Sequence, residues 1–81
     1  MNKRKLGCPE EIYEVLRVAR DKVIDLKILV RWFERDAEHL EKIGALEQAL
    51  RLRQSANRLL GELRFWEEEV KRLEAECFGG R

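Results

Sequence analysis

The residues best suited to bind a metal ion are Asp36 and His39, which are spaced as Asp-x-x-His. A carboxylate and a histidine three residues apart occur in the metal sites of helical bundles, where the side chains point into the core. Here both residues fall beside or outside the apolar positions of the local helical pattern, so we expect a solvated helix face. His39 is the only histidine, and the chain has no Gly-rich phosphate loop and no nucleophile beside a base. We therefore expect no enzymatic activity, no metal and no cofactor.

A row of cationic residues in the C-terminal half could contact nucleic-acid phosphates. Between Gln48 and Gly61 the chain has three arginines and no acidic residue. However, Glu47, Glu62 and Glu68 interrupt the row, and no aromatic residues are placed to stack on bases. A small helical-hairpin dimer that binds RNA or DNA is therefore the alternative function. The contact residues would be Arg51, Arg58, Arg64, Lys71 and Arg72.

The acidic run Glu67-Glu68-Glu69 is the remaining cluster that could hold a cation. Two of its members stand four residues before Lys71 and Arg72, in the order that favours helical salt bridges. The spacing therefore predicts a solvated, salt-bridged face, with Glu67 bound to Lys71 and Glu68 bound to Arg72.

Two long helical patterns flank a short stretch around Gly44. In both patterns apolar residues recur at alternating steps of four and three, which is typical of a coiled-coil seam. The first seam is Ile12, Leu16, Ala19, Val23, Leu26, Val30, Phe33, Ala37 and Leu40, and the second is Ala45, Ala49, Leu52, Ala56, Leu59, Leu63, Trp66, Val70, Leu73 and Cys77. The second seam is displaced by one residue, which would rotate it by roughly 100° on a continuous helix.

We therefore predict an all-α fold, an antiparallel two-helix hairpin whose turn lies within residues 42–46. Gly44 can adopt the left-handed conformation that ends a helix. One continuous helix, kinked at Gly44 and paired in a parallel dimer, is the alternative. We expect a basic tail at 1–8, helix 1 at about 9–42, helix 2 at about 45–77, the whole hairpin at 9–78, and a short tail at 79–81.

The turn also predicts a register, in which residues whose numbers sum to 89 face each other. Large seam residues then meet small ones, for example Phe33 opposite Ala56. At the flanking positions the same register predicts two ion pairs of opposite sign. These are Arg20 with Glu67 and Glu34 with Arg53.

The cysteines Cys8 and Cys77 come to the open end of this hairpin. The chain has no apolar signal sequence and no apolar run long enough to span a membrane, so we expect a cytoplasmic protein with reduced thiols. Cys77 would then be a small buried apolar side chain. A disulfide is the alternative, but it requires backbone movement because Cys77 lies opposite Ile12, about one turn from Cys8.

The amino-acid composition bears on which partners and which source are plausible. The chain has 81 residues, is 41% charged and has a formal net charge of +1, so charge alone does not favour nucleic acid or an acidic membrane. It has no Thr, one Ser, two Asn and two Gln, and a charge-rich, amide-poor composition is common in thermophiles. Long helices are charge-rich in any case.

Apolar residues outside the seams are too numerous for an isolated hairpin. Helices that are apolar on a second face are buried on a second side. We therefore predict a protein–protein interaction or adaptor module that self-associates, as a homodimer that forms a four-helix bundle. A different protein that covers the same face and scattered exposed apolar residues are the alternatives. The predicted face consists of Ile24, Ile28, Leu29, Trp32, Leu50, Leu60, Gly61 and Phe65.

Gly61 is included because it lies on an uncharged row of helix 2, although Gly is unfavourable within a helix. The row reads Leu50, Gln54, Asn57, Gly61 and Phe65. Close approach of another helix would explain the glycine, and so would a tolerated surface position. The sequence leaves both interpretations open.

Overall fold

The protein is an antiparallel helical hairpin. A computed structural model describes residues 8–79; α1 spans Glu10–Lys42, and α2 spans Leu46–Glu74 and continues into a π-helical segment, Ala75–Gly79. The two helices pack along their lengths in a rod of 56 × 19 × 16 Å. The predicted all-α hairpin is confirmed. The predicted basic tail lies outside the described residues up to Gly7, as do the last two residues of the chain.

Helix α1 begins at a proline and runs without interruption for 33 residues. Pro9 precedes it with φ −59° and ψ 149°, and the N–H of Tyr13 donates to the Pro9 carbonyl at 3.0 Å. Glu10 and Glu11 occupy the first turn and Lys42 the last, which suits the helix dipole at both ends. Since Pro and Gly are absent from its interior, nothing in the sequence interrupts the helix.

The reversal of the chain is a hydrogen-bonded C-terminal cap centred on Gly44. The N–H of Gly44 donates to the Glu41 carbonyl at 3.2 Å, and the N–H of Ala45 donates to the Leu40 carbonyl at 2.9 Å. This pair of bonds is the Schellman motif, which needs a residue of positive φ at its centre. Gly44 has φ +86°, the only positive φ among the described residues. The turn predicted within residues 42–46 is thus confirmed, and the alternative of one unbroken helix is wrong.

We predict that Gly44→Ala lowers the free energy of unfolding by about 1–2 kcal/mol, because an L side chain is disfavoured at positive φ. A Cβ at this position would contact nothing within 4 Å, so the cost would come from the backbone alone. Gly61→Ala is the matched control, since it too meets nothing within 4 Å but lies inside α2. It should raise stability by about 1 kcal/mol. Urea denaturation measures both, and equal effects of the same sign would contradict the role of Gly44.

The interface between the helices is built from the two predicted seams. Every seam residue is buried or half-buried, and the fully buried ones are mostly Leu, Val and Ala. Near the turn the buried residues are small, namely Ala37, Ala49 and Ala56. At the open end a larger cluster forms. It consists of Cys8, Leu16, Ala19, Leu73 and Cys77, with Ile12, Tyr13, Trp66 and Val70 packed against it.

The prediction that Cys8 and Cys77 remain unbridged is wrong for this structure. The two residues form a disulfide, their Cα atoms are 4.2 Å apart, and both are buried. The predicted offset of one helical turn assumed straight α-helices at the open end. Instead, Cys8 precedes the first helical residue, and Cys77 lies in the π-helical segment. Burial of Cys77 is confirmed. Cys8, which we placed in the tail, belongs to the core.

The ion pair expected between Arg20 and Glu67 is not the one that forms. Arg20 instead donates to Glu74 at 2.9 Å, seven residues further along α2. The second pair shifts in the same way.

Arg53 donates two hydrogen bonds to Glu41, at 2.9 and 3.0 Å, and not to Glu34. The reason is the direction of helical side chains, which lean towards the N-terminus of their own helix. In an antiparallel pair, side chains of the two helices therefore lean in opposite directions along the helix axis. Two long side chains meet at a level between their Cα atoms, so the Cα atoms of the two partners are offset along the axis. The prediction compared Cα levels alone and so chose partners one heptad too close to the turn for Arg20 and one heptad too far from it for Arg53.

Candidate interaction surfaces

The apolar residues Ile24, Ile28 and Trp32 form a row on the side of α1 that faces away from α2. Ile28 is two residues from both Leu26 and Val30, which are buried between the helices, and two residues correspond to a rotation of about 200°. The exposed fractions of Ile24, Ile28 and Trp32 are 55%, 46% and 58%. We call these three residues the α1 apolar row.

Three cationic side chains border the α1 apolar row. Together with the row they line a shallow groove of about 390 Å³, and they are Lys27, Arg31 and Arg35. Their spacing of four residues places them side by side along the helix. No salt bridge in residues 8–79 involves them. Our sequence reasoning missed this cationic border, although the four-residue spacing is visible in the sequence.

The other predicted residue of α1, Leu29, lies to one side of the α1 apolar row. It is 38% exposed, and Val15 and Val18 on the same helix are about half exposed. The hairpin itself covers none of these side chains fully. The apolar surface of α1 is therefore wider than one row.

The α2 members of the predicted face lie on the opposite side of the hairpin. Leu50 and Phe65 are 57% and 56% exposed, Gly61 is exposed, and Leu60 is half-buried. Gly61 and Phe65 each stand two residues from the buried Leu63, so they point away from α1. Six of the eight residues predicted as one face thus form two separate surfaces, whereas Leu29 lies beside the first and Leu60 is half-buried. We call the second, made of Leu50, Gly61 and Phe65, the α2 outer surface.

Part of the predicted cationic row on α2 is already paired with acids. Arg72 donates to Glu69 at 2.6 Å and to Glu76 at 3.1 Å, and the hydrogen bond to Glu69 raises the pKa of the guanidinium above its ordinary value. Lys71 lies 3.9 Å from Glu68. Two of these pairs form at three-residue spacing and one, Arg72–Glu76, at four-residue spacing. The predicted pairs Glu67–Lys71 and Glu68–Arg72 do not form.

The other three arginines of that row, Arg51, Arg58 and Arg64, form no salt bridge in the described part of the chain. Arg58 and Arg51 are one heptad apart on one side of α2. Arg64 is six residues after Arg58, which rotates it by about 120° on the helix. The three free guanidinium groups therefore do not form one line.

Two further charged contacts join the helices, one between Arg53 and Glu41 and one between Lys22 and Trp66. The hydrogen bonds from Arg53 hold the pKa of Glu41 below its ordinary value, and the same contact raises the pKa of Arg53. On the opposite side of the seam, the Lys22 ammonium lies 5.9 Å from the centre of the Trp66 ring, within cation–π range. Trp66 also packs edge-to-face with Phe65, at 5.3 Å between ring centres.

Asp36 and His39 are both exposed on α1, as expected of a solvated face. Among residues 8–79, no group of three or more His, Cys, Asp or Glu side chains is arranged to hold a metal ion. No helix in that range combines the length and the apolar character needed to cross a membrane.

Fold and surfaces together define the class of this protein: an antiparallel helical hairpin, closed by a turn at one end and a disulfide at the other, with apolar surfaces facing outwards. Compared with family models, with curated proteins and with solved structures, the chain matches none of them.

Proposed function

We propose that this protein is a non-enzymatic interaction module that self-associates through α1, so that two hairpins form a four-helix assembly in which the two α1 helices pack against each other. The observation that carries the proposal is the α1 apolar row. Its three large side chains are about half exposed or more, although they are adjacent on a rigid helix. Contiguous exposed apolar surface of this kind marks association sites, whereas single exposed apolar residues do not.

The energetics favour a modest, reversible dimer. Complete burial of an Ile or Trp side chain contributes roughly 1.5–3 kcal/mol, and about half of each side chain is already covered by the hairpin. Two copies double the gain. Association itself costs about 4–15 kcal/mol in lost translational and rotational freedom. The surplus is at most about 5 kcal/mol, so we expect a weak dimer with a dissociation constant of about 0.2 mM or higher.

The α2 outer surface is then free to bind a different protein, which makes the dimer an adaptor. Its residues, Leu50, Gly61 and Phe65, face away from α1 and would remain accessible after pairing through the α1 apolar row. An uncharged row with a glycine suits close approach of another helix.

The test is the mass in solution, measured by light scattering over a concentration range from about 10 μM to above 1 mM, which brackets the expected dissociation constant. We expect the mass to rise from the 9.7 kDa of one chain to twice that value. Tryptophan fluorescence provides a second readout, since the exposed ring of Trp32 should shift to shorter emission wavelengths when the dimer forms, whereas Trp66 is already packed between the helices. A mass of one chain at every concentration would refute self-association.

Nucleic-acid binding is the second candidate, and the free guanidinium groups of Arg51, Arg58 and Arg64 favour it. The same preparation tests it, if the protein is purified at low salt. Co-purifying nucleic acid would raise the absorbance ratio, and salt would remove it because phosphate contacts release counterions. Because Lys71 and Arg72 are paired with acidic side chains, less positive charge is available to bind phosphates. Self-association therefore remains our first proposal.

The compartment is part of the proposal as well. We expected a cytoplasmic protein, but disulfides are rare in the cytosol of mesophiles and persist in secreted proteins and in intracellular proteins of hyperthermophiles. The buried Cys8–Cys77 bridge and the charge-rich composition together favour a cytoplasmic protein of a thermophile. Thiol counting on freshly lysed cells tests whether the bridge forms inside the cell, and free thiols on both cysteines would contradict the thermophile part of the proposal.

A further inference from the structure

Charges on the outward side of α1 are arranged antisymmetrically along the helix. Asp21 and Asp25 lie on the N-terminal side of Ile28, and Arg31 and Arg35 lie on its C-terminal side. All four are exposed, and none forms a salt bridge in the described part of the chain. The outward side of α1 therefore has an acidic half, an apolar centre and a basic half.

Each of these acids has a basic residue at the same distance on the other side of Ile28. Asp21 and Arg35 each stand seven residues from Ile28, which places the three on one line along the helix. Asp25 and Arg31 each stand three residues away. The apolar residues follow the same rule, since Ile24 and Trp32 each stand four residues away.

Three exposed charges at the border of this side do not fit the division: Lys27 precedes Ile28, and Glu34 and Glu38 lie beside Arg31 and Arg35. A fourth exception is Arg17, which lies in the acidic half. It is already held by Glu14, with the guanidinium nitrogen 3.0 Å from the carboxylate. The carboxylate of Asp21 acts on it more weakly, from one turn away. The pair Arg17–Glu14 is neutral as a unit, so the acidic half keeps its sign.

We propose that the α1 apolar row is covered by the same row of a second copy, packed antiparallel about a two-fold axis beside Ile28. This inference rests on the proposed self-association and specifies its geometry. In this arrangement Ile28 meets Ile28 of the second copy, and Ile24 meets Trp32 of the second copy. Asp21 meets Arg35 of the second copy, and the symmetry forms that contact twice. The two α1 helices lie at the centre of the assembly.

A parallel arrangement is disfavoured by the same charges. In a parallel dimer each residue lies opposite the identical residue of the second copy. Arg35 would then face Arg35 of the second copy, and Asp21 would face Asp21. Like charges across an interface are unfavourable and exclude the wrong orientation. In the antiparallel arrangement each of these side chains faces a side chain of opposite charge instead.

The experiment is a charge-swap cycle, read as the dissociation constant of the dimer from light scattering at an ionic strength of about 0.1 M, where the Debye length is about 10 Å. Asp21→Arg alone and Arg35→Asp alone each create two like-charged contacts per dimer, and each should raise the dissociation constant about tenfold or more. The double variant Asp21→Arg/Arg35→Asp restores both contacts and should return the constant to near the parent value. Within one chain the two residues are about 21 Å apart along the helix, beyond the Debye length. Rescue must therefore come from contact between copies.

Matched controls remove the effect of net charge. Glu62→Arg and Arg58→Asp make the same charge changes on exposed positions of α2, and neither should change the dissociation constant. Circular dichroism of every variant checks that the helices remain folded, as expected for substitutions at exposed sites.

The outcomes separate this inference from the proposed function. Loss in both single variants and recovery in the double variant support the antiparallel pairing. A parent protein that dimerises while the double variant fails to recover refutes this geometry and leaves self-association standing. A parent protein that stays monomeric at every concentration refutes both.

Discussion

Replacing both Cys8 and Cys77 with alanine should lower the free energy of unfolding by about 4 kcal/mol. The disulfide joins residues 69 positions apart, and closing a loop of that size removes roughly this much conformational freedom from the unfolded chain. The effect is larger than that expected at Gly44, because the bridge closes the end of the hairpin opposite the turn. Without it, packing in the open-end cluster and the ion pair between Arg20 and Glu74 hold the N-terminal part of α1 against the end of α2.

Urea denaturation of the parent and of the Cys8→Ala/Cys77→Ala variant measures this effect. Both are compared at one protein concentration, because self-association makes apparent stability depend on concentration. A reducing agent should lower the stability of the parent and leave the double variant unchanged, which controls for the small loss of packing. Equal midpoints of parent and variant would show that the bridge does not contribute to stability.

Ile28→Lys should abolish self-association and leave the hairpin folded. Ile28 lies at the centre of the α1 apolar row and is 46% exposed in the single chain, so lysine is tolerated there in a monomer. In a dimer it would place two unpaired charges in the apolar centre of the interface, and leaving a charge buried and unpaired costs about 3–5 kcal/mol. We expect the dissociation constant to rise at least about 100-fold, corresponding to roughly 2.7 kcal/mol.

Leu50→Lys is the matched control for that variant. Leu50 is exposed to a similar extent, at 57%, but belongs to the α2 outer surface. The same chemical change there should leave the mass in solution unaltered. If Ile28→Lys instead keeps the parent mass, helicity and melting temperature, the α1 apolar row is a solvent-exposed surface and the proposed dimer is wrong.

Local rules explain why the helices, the turn and the core were predictable from the sequence. The step of three and four residues identifies the buried seams, and a displacement of one residue requires a reversal at Gly44. Positive φ, capping and seam burial all depend on residues close in the chain or at heptad spacing. The sequence alone also contains the border of Lys27, Arg31 and Arg35, which we could have found by looking for charged rows as well as apolar ones.

Contacts between distant segments were decided only by the tertiary structure. The partners of Arg20 and Arg53 depend on the lean of side chains from two antiparallel helices, which moves each contact one heptad away from the predicted partner. The disulfide depends on the non-α-helical backbone before Glu10 and after Glu74. The predicted face was divided into two surfaces because its members belong to helices whose outward sides point apart. Sequence spacing orders residues along one helix, but the relative rotation of two helices is set by how their seams pack.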